Sequence, residues 1–288
     1  MSRDHYIPQF ILRGFAIDDS LPKDKQEIRI LDTKTLEVET TLIGNAFMKI
    51  DCNTEETETS FAQNFETPMG NVLQQIKNAI RKNQNQVELK KSAYQKLFRF
   101  LVLMWRRNIV QLKKMEEYAS ILGEFFDGDR PLGANESPFA QYFEANKDIC
   151  AKAFYDIIIK QTTNDDDTVK KTILNYRPIV IHNTSNVHFI VHNTYSTLNY
   201  CCQSYDQIST TDMPPIMIFP LSKDICLYLL LREQPLQLNN AQYPIAIETW
   251  DNPNDIEQYM IDRYIQPTSE SIVVDNTNLQ YVLNKLKN

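Results

Sequence analysis

The pattern of apolar and polar positions at the start of the chain predicts one short helix and one hairpin. Pro8 suits the first turn of a helix, where its missing N–H group would have no partner in any case, and the helix is expected to end near Gly14. In residues 27–42, isoleucine, leucine and valine alternate with charged residues on both sides of a polar turn, Asp32–Thr35. Alternation with a period of two predicts two antiparallel strands.

Apolar spacing of three and four residues then predicts four longer helices. They run from Asn53 to about Glu66, from Thr67–Pro68 past Ile80, from about Glu88 to Phe126, and from Ser137–Pro138 to Ile159. The third is the strongest element of the chain. It is apolar nearly all round, which is typical of a buried helix.

After Tyr176 the pattern changes to short, β-branched runs: IVIHNT, VHFIVHNT, PIMIFPL, ICLYLLL and, later, SIVV. These are predicted strands. The segments NNAQYPIAIETW, NPNDIEQYMIDRYI and NLQYVLNKLK are predicted helices. The expected fold is α+β, with a helical N-terminal half and a small hairpin packed on a mixed or antiparallel sheet from the C-terminal half. We expect a single domain over residues 1–288, with a soft boundary near residues 162–176.

Composition narrows the classes of function. The net charge is −7, and the six glycines form neither GxGxxG nor GxxxxGK[ST], so a nucleotide site built on either motif is not expected. A low isoelectric point, about 5.2, argues against a broad, nonspecific phosphate-binding surface but leaves room for a local one. GxSxG is also absent, and the five cysteines show no CxxC spacing.

These features predict a soluble protein of the cytoplasm with free thiols. Arg3 and Asp4 lead into no apolar h-region, so no signal peptide is expected. The longest apolar stretch, 97–105, is much shorter than a membrane span, so no membrane partner is expected.

One stretch of the chain is basic although the chain as a whole is acidic. Residues 81–114 contain ten basic residues and one acidic residue, Glu88. Arg99 and Arg106 are expected to project inward from the long helix, where a guanidinium group needs an anionic partner. That partner is either a protein carboxylate or the phosphate or carboxylate of a ligand. Nucleic acid or a nucleotide is therefore a candidate partner for 81–114, and a partner protein is another.

Metal ligands are not evident from spacing. His188 and His192 would lie about 13 Å apart along one strand, too far to share an ion, and they are expected to be polar residues on an open sheet face. Glu58 and Glu66 would lie about 12 Å apart along one helix. A divalent metal therefore needs ligands from elsewhere in the fold, and the sequence identifies no complete ligand set.

The opening HYIPQFILRGFA resembles the start of DUF4238 proteins, a mostly bacterial family of uncharacterised function. The similarity continues in the glutamate-containing helix Glu58–Glu66, in the aromatic and arginine-rich segment Phe98–Arg107, in Phe219–Ser222, and at Asn239 or Asn240, where the family begins a helix. Members often occur as accessory genes of mobile or defence loci, so the resemblance implies such a context for this chain.

The chain departs from the family at one turn. Family members usually carry Ser-Asp-Asn-Pro after a strand that begins with phenylalanine, whereas here Phe189 is followed by His192, Asn193 and Thr194 without the aspartate and proline. If that aspartate takes part in chemistry, the activity of this protein is altered or lost. We count Asn193 among the ligand-binding candidates.

Two hypotheses follow for the family-like residues. In the first, the chain is a hydrolase or nuclease-like effector on a phosphate-bearing substrate, with His5, Glu66 and Arg106 catalytic and Tyr6, Gln9, Arg13, Arg99 and Asn193 binding the ligand. In the second, it is a non-catalytic module that binds an anion or a protein. A purely structural alternative, in which Arg13 pairs with Glu66 and locks the N-terminus to the helices, is nearly as good.

Overall fold

The structure is a computed structural model that describes residues 3–50, 55–106, 166–193, 216–237, 240–261, 265 and 270–287. The first part contains β1 Arg3–His5, α1 Gln9–Leu12 with a following 3-10 turn Arg13–Phe15, β2 Glu27–Asp32, β3 Val38–Leu42 and β4 Met48–Ile50. The middle part contains α2 Glu55–Phe61, a π-helical segment Ala62–Glu66, α3 Thr67–Arg81, β5 Gln86–Lys90 and α4 Lys91–Arg106.

The last part is richer in strands. It contains α5 Asp166–Asn175, β6 Tyr176–Asn183, β7 Val191–His192, β8 Ile216–Pro220, β9 Ile225–Leu231 and β10 Gln242–Trp250. It ends with α6 Pro253–Asp255, which continues as a π-helical segment Ile256–Ile261, then β11 Ser271–Val274 and α7 Leu279–Lys287.

The described strands form three sheets. The largest has the order β5-β10-β6-β9-β8, and it is mixed because β10 and β6 run parallel while its other pairs are antiparallel. The second has the order β3-β2-β11-β7, and the third pairs β1 with β4. Helices and sheets together confirm an α+β fold with a mixed sheet.

The predicted division into a helical first half and a sheet-forming second half is not confirmed. β5 forms an edge of the five-stranded sheet, and the β2–β3 hairpin continues the four-stranded sheet through β11. Both sheets therefore combine strands from the two halves of the chain. Such pairings depend on contacts between residues far apart in sequence, which local periodicity does not report.

One segment predicted as helix, residues 242–250, is a strand, and so is the predicted start of the long helix, Glu88–Lys90. In residues 242–250, Tyr243 and Ile245 are buried between exposed neighbours, and in residues 86–90, Val87 and Leu89 are buried in the same alternating way. The segment predicted to begin a helix at Asn239 or Asn240 therefore leads into β10. α4 begins at Lys91 rather than near Glu88. The predicted continuation of this helix to Phe126 and the helix 137–159 lie outside the described residues.

α4 is buried on every side over residues 101–104, as its apolar pattern predicts. Leu101, Val102, Leu103 and Met104 are consecutive and nearly inaccessible, and four consecutive helical residues cover the whole circumference. The helix contacts α3, α5, β5 and β10. α4 is thus a central element against which the N-terminal helices and the large sheet pack.

The helix that begins at Glu55 changes its hydrogen-bond pattern before Pro68. Proline has no N–H group to donate to the carbonyl four residues earlier, and its ring crowds that carbonyl. The five residues Ala62–Glu66, which end two positions before Pro68, adopt π-helical geometry, and α3 continues beyond them. A π-helical segment changes which side chains share a face, and Glu66 is its last residue.

A close backbone approach fixes the N-terminal segment to the turn between β8 and β9. A Cβ atom on Gly14 would lie 2.6 Å from the Leu221 carbonyl oxygen and 2.8 Å from the Cα of Ser222. In addition, the Lys223 N–H donates to the Gly14 carbonyl at 3.0 Å. Only glycine fits this contact, which joins two of the motifs seen in the sequence, Leu12–Phe15 and Phe219–Ser222.

We expect Gly14→Ala to lower the free energy of unfolding by about 1–3 kcal/mol, because backbone atoms that cannot rotate away oppose the added methyl group. Urea denaturation measures the change. Gly70→Ala in α3 is the matched control, since a Cβ there meets nothing within 4 Å and alanine favours a helix. Equal stability of Gly14→Ala and the wild type would contradict the proposed contact.

Candidate functional site

The first residues of the described chain are held in place by β4. His5 pairs with Met48 in an antiparallel register, and the Tyr6 N–H donates to the Phe47 carbonyl at 3.0 Å. The rings of Tyr6 and Phe47 meet edge to face with centroids 6.0 Å apart. Phe47 has a positive φ of 49°, a backbone conformation that costs energy in residues other than glycine. Tyr6, a predicted ligand-binding residue, thus has a packing role.

Gln9 joins His5 to Arg13. Gln9 and Arg13 lie one helical turn apart, and Nη2 of Arg13 donates to Oε1 of Gln9 at 2.7 Å. Because the guanidinium only donates, this bond orients the amide with its oxygen on Arg13 and its nitrogen toward His5. Nε2 of Gln9 lies 3.3 Å from Nε2 and 3.5 Å from Nδ1 of His5. The amide nitrogen of Gln9 therefore lies close to both ring nitrogens of His5.

Arg13 is the charged member of this group. Burial lowers the pKa of the Arg13 guanidinium, while the negative charge of nearby Glu66 raises it. Nε of Arg13 is buried and has no hydrogen-bond partner within the part of the chain that the structure describes. Buried donors are almost always hydrogen-bonded, so this N–H group is an unusual feature of the cluster.

The structure therefore brings four predicted site residues into one cluster: His5, Gln9, Arg13 and, through its charge, Glu66. We call these four residues the N-terminal cluster. Glu66 is half-buried at the end of the π-helical segment. The purely structural alternative, an attraction between Arg13 and Glu66, fits the same arrangement.

The remaining predicted residues are placed differently. Arg99 is half-buried on α4, and Arg106 is the last residue of that helix, with a side chain outside the described residues. Asn193 is buried at the end of β7, where its N–H donates to the Ser271 carbonyl at 2.9 Å and its Oδ1 accepts from the Glu270 N–H at 3.1 Å. Asn193 thus joins the end of β7 to the start of β11.

No group of three or more histidine, cysteine, aspartate or glutamate side chains suited to a metal ion occurs among the described residues. The same described ranges contain no helix that is long and apolar enough to cross a membrane. Cys226, the one cysteine whose state the structure describes, is a buried free thiol, and burial raises its pKa well above the usual value.

Comparison with known proteins assigns the family. The sequence profile of DUF4238, described as a protein of unknown function, matches residues 3–279. The chain therefore belongs to the DUF4238 family. No curated protein and no solved structure matches it.

Sequence reasoning missed a second polar cluster, formed by His188 and Asp275. Nδ1 of His188 contacts Oδ2 of Asp275, and the other carboxylate oxygen accepts from the Thr277 N–H at 2.8 Å and its hydroxyl at 2.6 Å. Asn278 completes the cluster: its side-chain nitrogen donates to the His188 carbonyl at 3.2 Å, and its oxygen accepts from the Asp275 N–H at 2.9 Å.

This cluster corrects the expectation that His188 and His192 lie on an open sheet face. His188 precedes β7 and is bound by Asp275, and His192 is fully buried on β7, the last strand in the described four-stranded sheet. A local signal was present in the sequence, because aspartate followed by threonine and asparagine before an apolar run is typical of a helix start. The partner of Asp275, 87 residues away, has no such signal.

Asp275 ionises more readily than a free carboxyl group. Burial opposes its ionisation, but hydrogen bonds from His188 and Thr277 outweigh burial and lower the pKa of Asp275 to about 2. Because the pKa of Asp275 is lower in the folded than in the unfolded protein, its ionised carboxylate stabilises the fold at pH values above the unfolded-state pKa of about 3.9. This stabilisation is lost as the pH falls through about 2.

We expect Asp275→Asn to lower the free energy of unfolding by about 1 kcal/mol at neutral pH, after allowance for solvent screening. The variant should also lose part of the decline in stability that the wild type shows from about pH 4 to pH 2. Urea denaturation at several pH values measures both effects. The exposed Asp251→Asn is the control, and an unchanged pH profile in Asp275→Asn would contradict the role of this carboxylate.

Proposed function

We propose that this DUF4238 protein is a hydrolase, nuclease-like in its substrate preference, that acts on a phosphate-bearing substrate at the N-terminal cluster. The observation that carries the proposal is the position of Gln9, whose oxygen accepts from Arg13 and whose nitrogen contacts the His5 ring. The amide thereby holds an imidazole close to a guanidinium group. A titratable base beside a fixed cation suits the attack of water on an anionic ester.

Each residue has a role in this reaction. His5 or Glu66 accepts the proton of the attacking water as a new P–O bond forms and the ester P–O bond breaks. Arg13 binds the phosphate oxygens, and its buried Nε–H is a donor that such an anion would satisfy. Arg99 and Arg106 add positive charge from α4. A divalent metal, with Glu66 or His5 among its ligands, would further stabilise the anionic transition state.

The basic stretch supports a nucleic acid or nucleotide as the substrate. In its described part, Arg81, Lys82, Lys90, Lys91 and Lys96 are exposed. Exposed lysine and arginine side chains attract phosphate groups even on a protein that is acidic overall. Within this proposal the protein is an effector of the kind found in mobile-element or phage-defence loci, and it acts in the cytoplasm.

The test is metal-dependent cleavage of a panel of DNA, RNA and nucleotides by the full chain. We expect His5→Ala and Glu66→Gln to lower kcat by about 10²–10⁴-fold, because proton transfer is lost, while circular dichroism shows intact folding. Glu56→Gln, an exposed carboxylate on the preceding helix α2, is the matched control and should keep full activity. Absence of cleavage with every metal, or cleavage unchanged in both variants, would refute the proposal.

A non-catalytic anion-binding module is the second candidate. It is favoured by the contacts of Gln9, whose amide group contacts both the His5 ring and the Arg13 guanidinium group. These contacts hold hydrogen-bond donors in a rigid arrangement that can bind an anion without any proton transfer. In that case titration calorimetry would show phosphate or nucleotide binding that weakens in Arg13→Met, without turnover.

A further inference from the structure

A polar groove lies between α3 and β5, away from the N-terminal cluster. It has a volume of about 790 Å³. One wall is formed by Gln75, Asn78 and Ala79 of α3 and by Lys82, the residue that directly follows the helix. These positions are spaced by three, one and three residues, so they share one face of the helix. The other wall is the beginning of β5, at Gln86–Glu88.

Among the described residues, β5 has a neighbouring strand along one edge only. Within the described ranges its one neighbour is β10. The Asn85 carbonyl accepts from the Ile247 N–H at 2.8 Å, and the Lys91 N–H donates to the Ala241 carbonyl at 3.0 Å. In an antiparallel ladder alternate residues bond to the same neighbour, so the odd-numbered residues of β5 face β10. The N–H and C=O groups of Gln86, Glu88 and Lys90 therefore point away from β10.

The side chains around the groove are mostly carboxamides. The turn from α3 to β5 contributes Asn83, Gln84 and Asn85, with Asn83 in the left-handed conformation at φ 54°. The Gln84 N–H donates to the Ala79 carbonyl at 3.0 Å, which holds this turn against the end of α3.

On the helix wall, Oδ1 of Asn78 accepts from Gln74 at 3.0 Å, which leaves the two N–H groups of Asn78 as donors. Lys82 and Glu88 carry opposite charges, so the lining has no net charge.

We propose that this groove binds an extended, uncharged segment of a partner protein, rich in serine, threonine, asparagine and glutamine, which adds to β5 as a further strand. The outward backbone groups of β5 provide main-chain hydrogen bonds to such a segment. The carboxamides of α3 and of the turn hydrogen-bond to its polar side chains. The lining has no net charge that would attract a charged segment, and its carboxamides match uncharged polar side chains, which argues for an uncharged segment.

The proposal is tested by selecting short peptides from a random displayed library against the full chain, followed by fluorescence anisotropy with the synthesised peptides. We expect the selected peptides to be rich in polar uncharged residues and to bind with micromolar affinity. Glu88→Pro removes one outward N–H group and leaves the bonds to β10 unchanged, and proline is tolerated in edge strands. Binding should weaken by at least about tenfold in this variant.

Glu88→Gln is the matched control, because it changes the same side chain and keeps the backbone N–H group, and it should bind like the wild type. Thermal unfolding verifies that both variants fold. If Glu88→Pro is destabilised, peptides with N-methylated alternate residues test the same hydrogen bonds on the wild-type chain. Three results would overturn the proposal. One is the absence of saturable binding, and another is the selection of charged peptides. The third is that the peptides bind Glu88→Pro as tightly as the wild type and that N-methylated peptides bind the wild type as tightly as unmethylated ones.

Discussion

The close approach of Gly14 to the turn between β8 and β9 is the contact on which the arrangement of the N-terminal segment depends. The segment is fixed at two points, by the pairing of β1 with β4 and by the contact of Gly14 with Leu221 and Ser222. α1 lies between these two points. Its polar face, with Gln9 and Arg13, is therefore set by backbone contacts rather than by the polar side chains themselves.

The N-terminal cluster and the His188–Asp275 cluster differ in how completely their hydrogen bonds are satisfied. The carboxylate of Asp275 has partners at both oxygens, and these partners join the segment before β7 to the start of α7. This arrangement is typical of a structural network. In the N-terminal cluster, by contrast, the buried Nε of Arg13 lacks an acceptor among the described residues. An incompletely satisfied cation beside an imidazole is more typical of a site that receives a ligand.

The sequence predicts those parts of the fold that depend on neighbours along the chain. The helical spacing of Gln9 and Arg13, the β2–β3 hairpin, the strand SIVV and the final helix all appear in the structure. β10 was predicted as a helix because its role depends on pairing with β5 and β6, which lie far away in sequence.

In the candidate site, too, the sequence predicts contacts between neighbours along the chain but not contacts between distant residues. The contact between Gln9 and Arg13 is local, whereas the attraction between Arg13 and Glu66 requires the fold. Spacing along the chain could not choose between a binding site and a structural ion pair, because both need the same residues. His188 and Asp275 show the limit most clearly, since neither residue predicts its distant partner.

A double-mutant cycle between Arg13 and Glu66 tests most directly whether the N-terminal segment places Arg13 close enough to Glu66 for their charges to attract each other. The free energy of unfolding is measured for the wild type, Arg13→Met, Glu66→Gln and the double variant, with exposed Glu56→Gln in place of Glu66→Gln as the control cycle. Our account predicts a coupling of about 0.5 kcal/mol or more for Arg13 with Glu66 and about zero for Arg13 with Glu56. Additive effects of Arg13→Met and Glu66→Gln would contradict it.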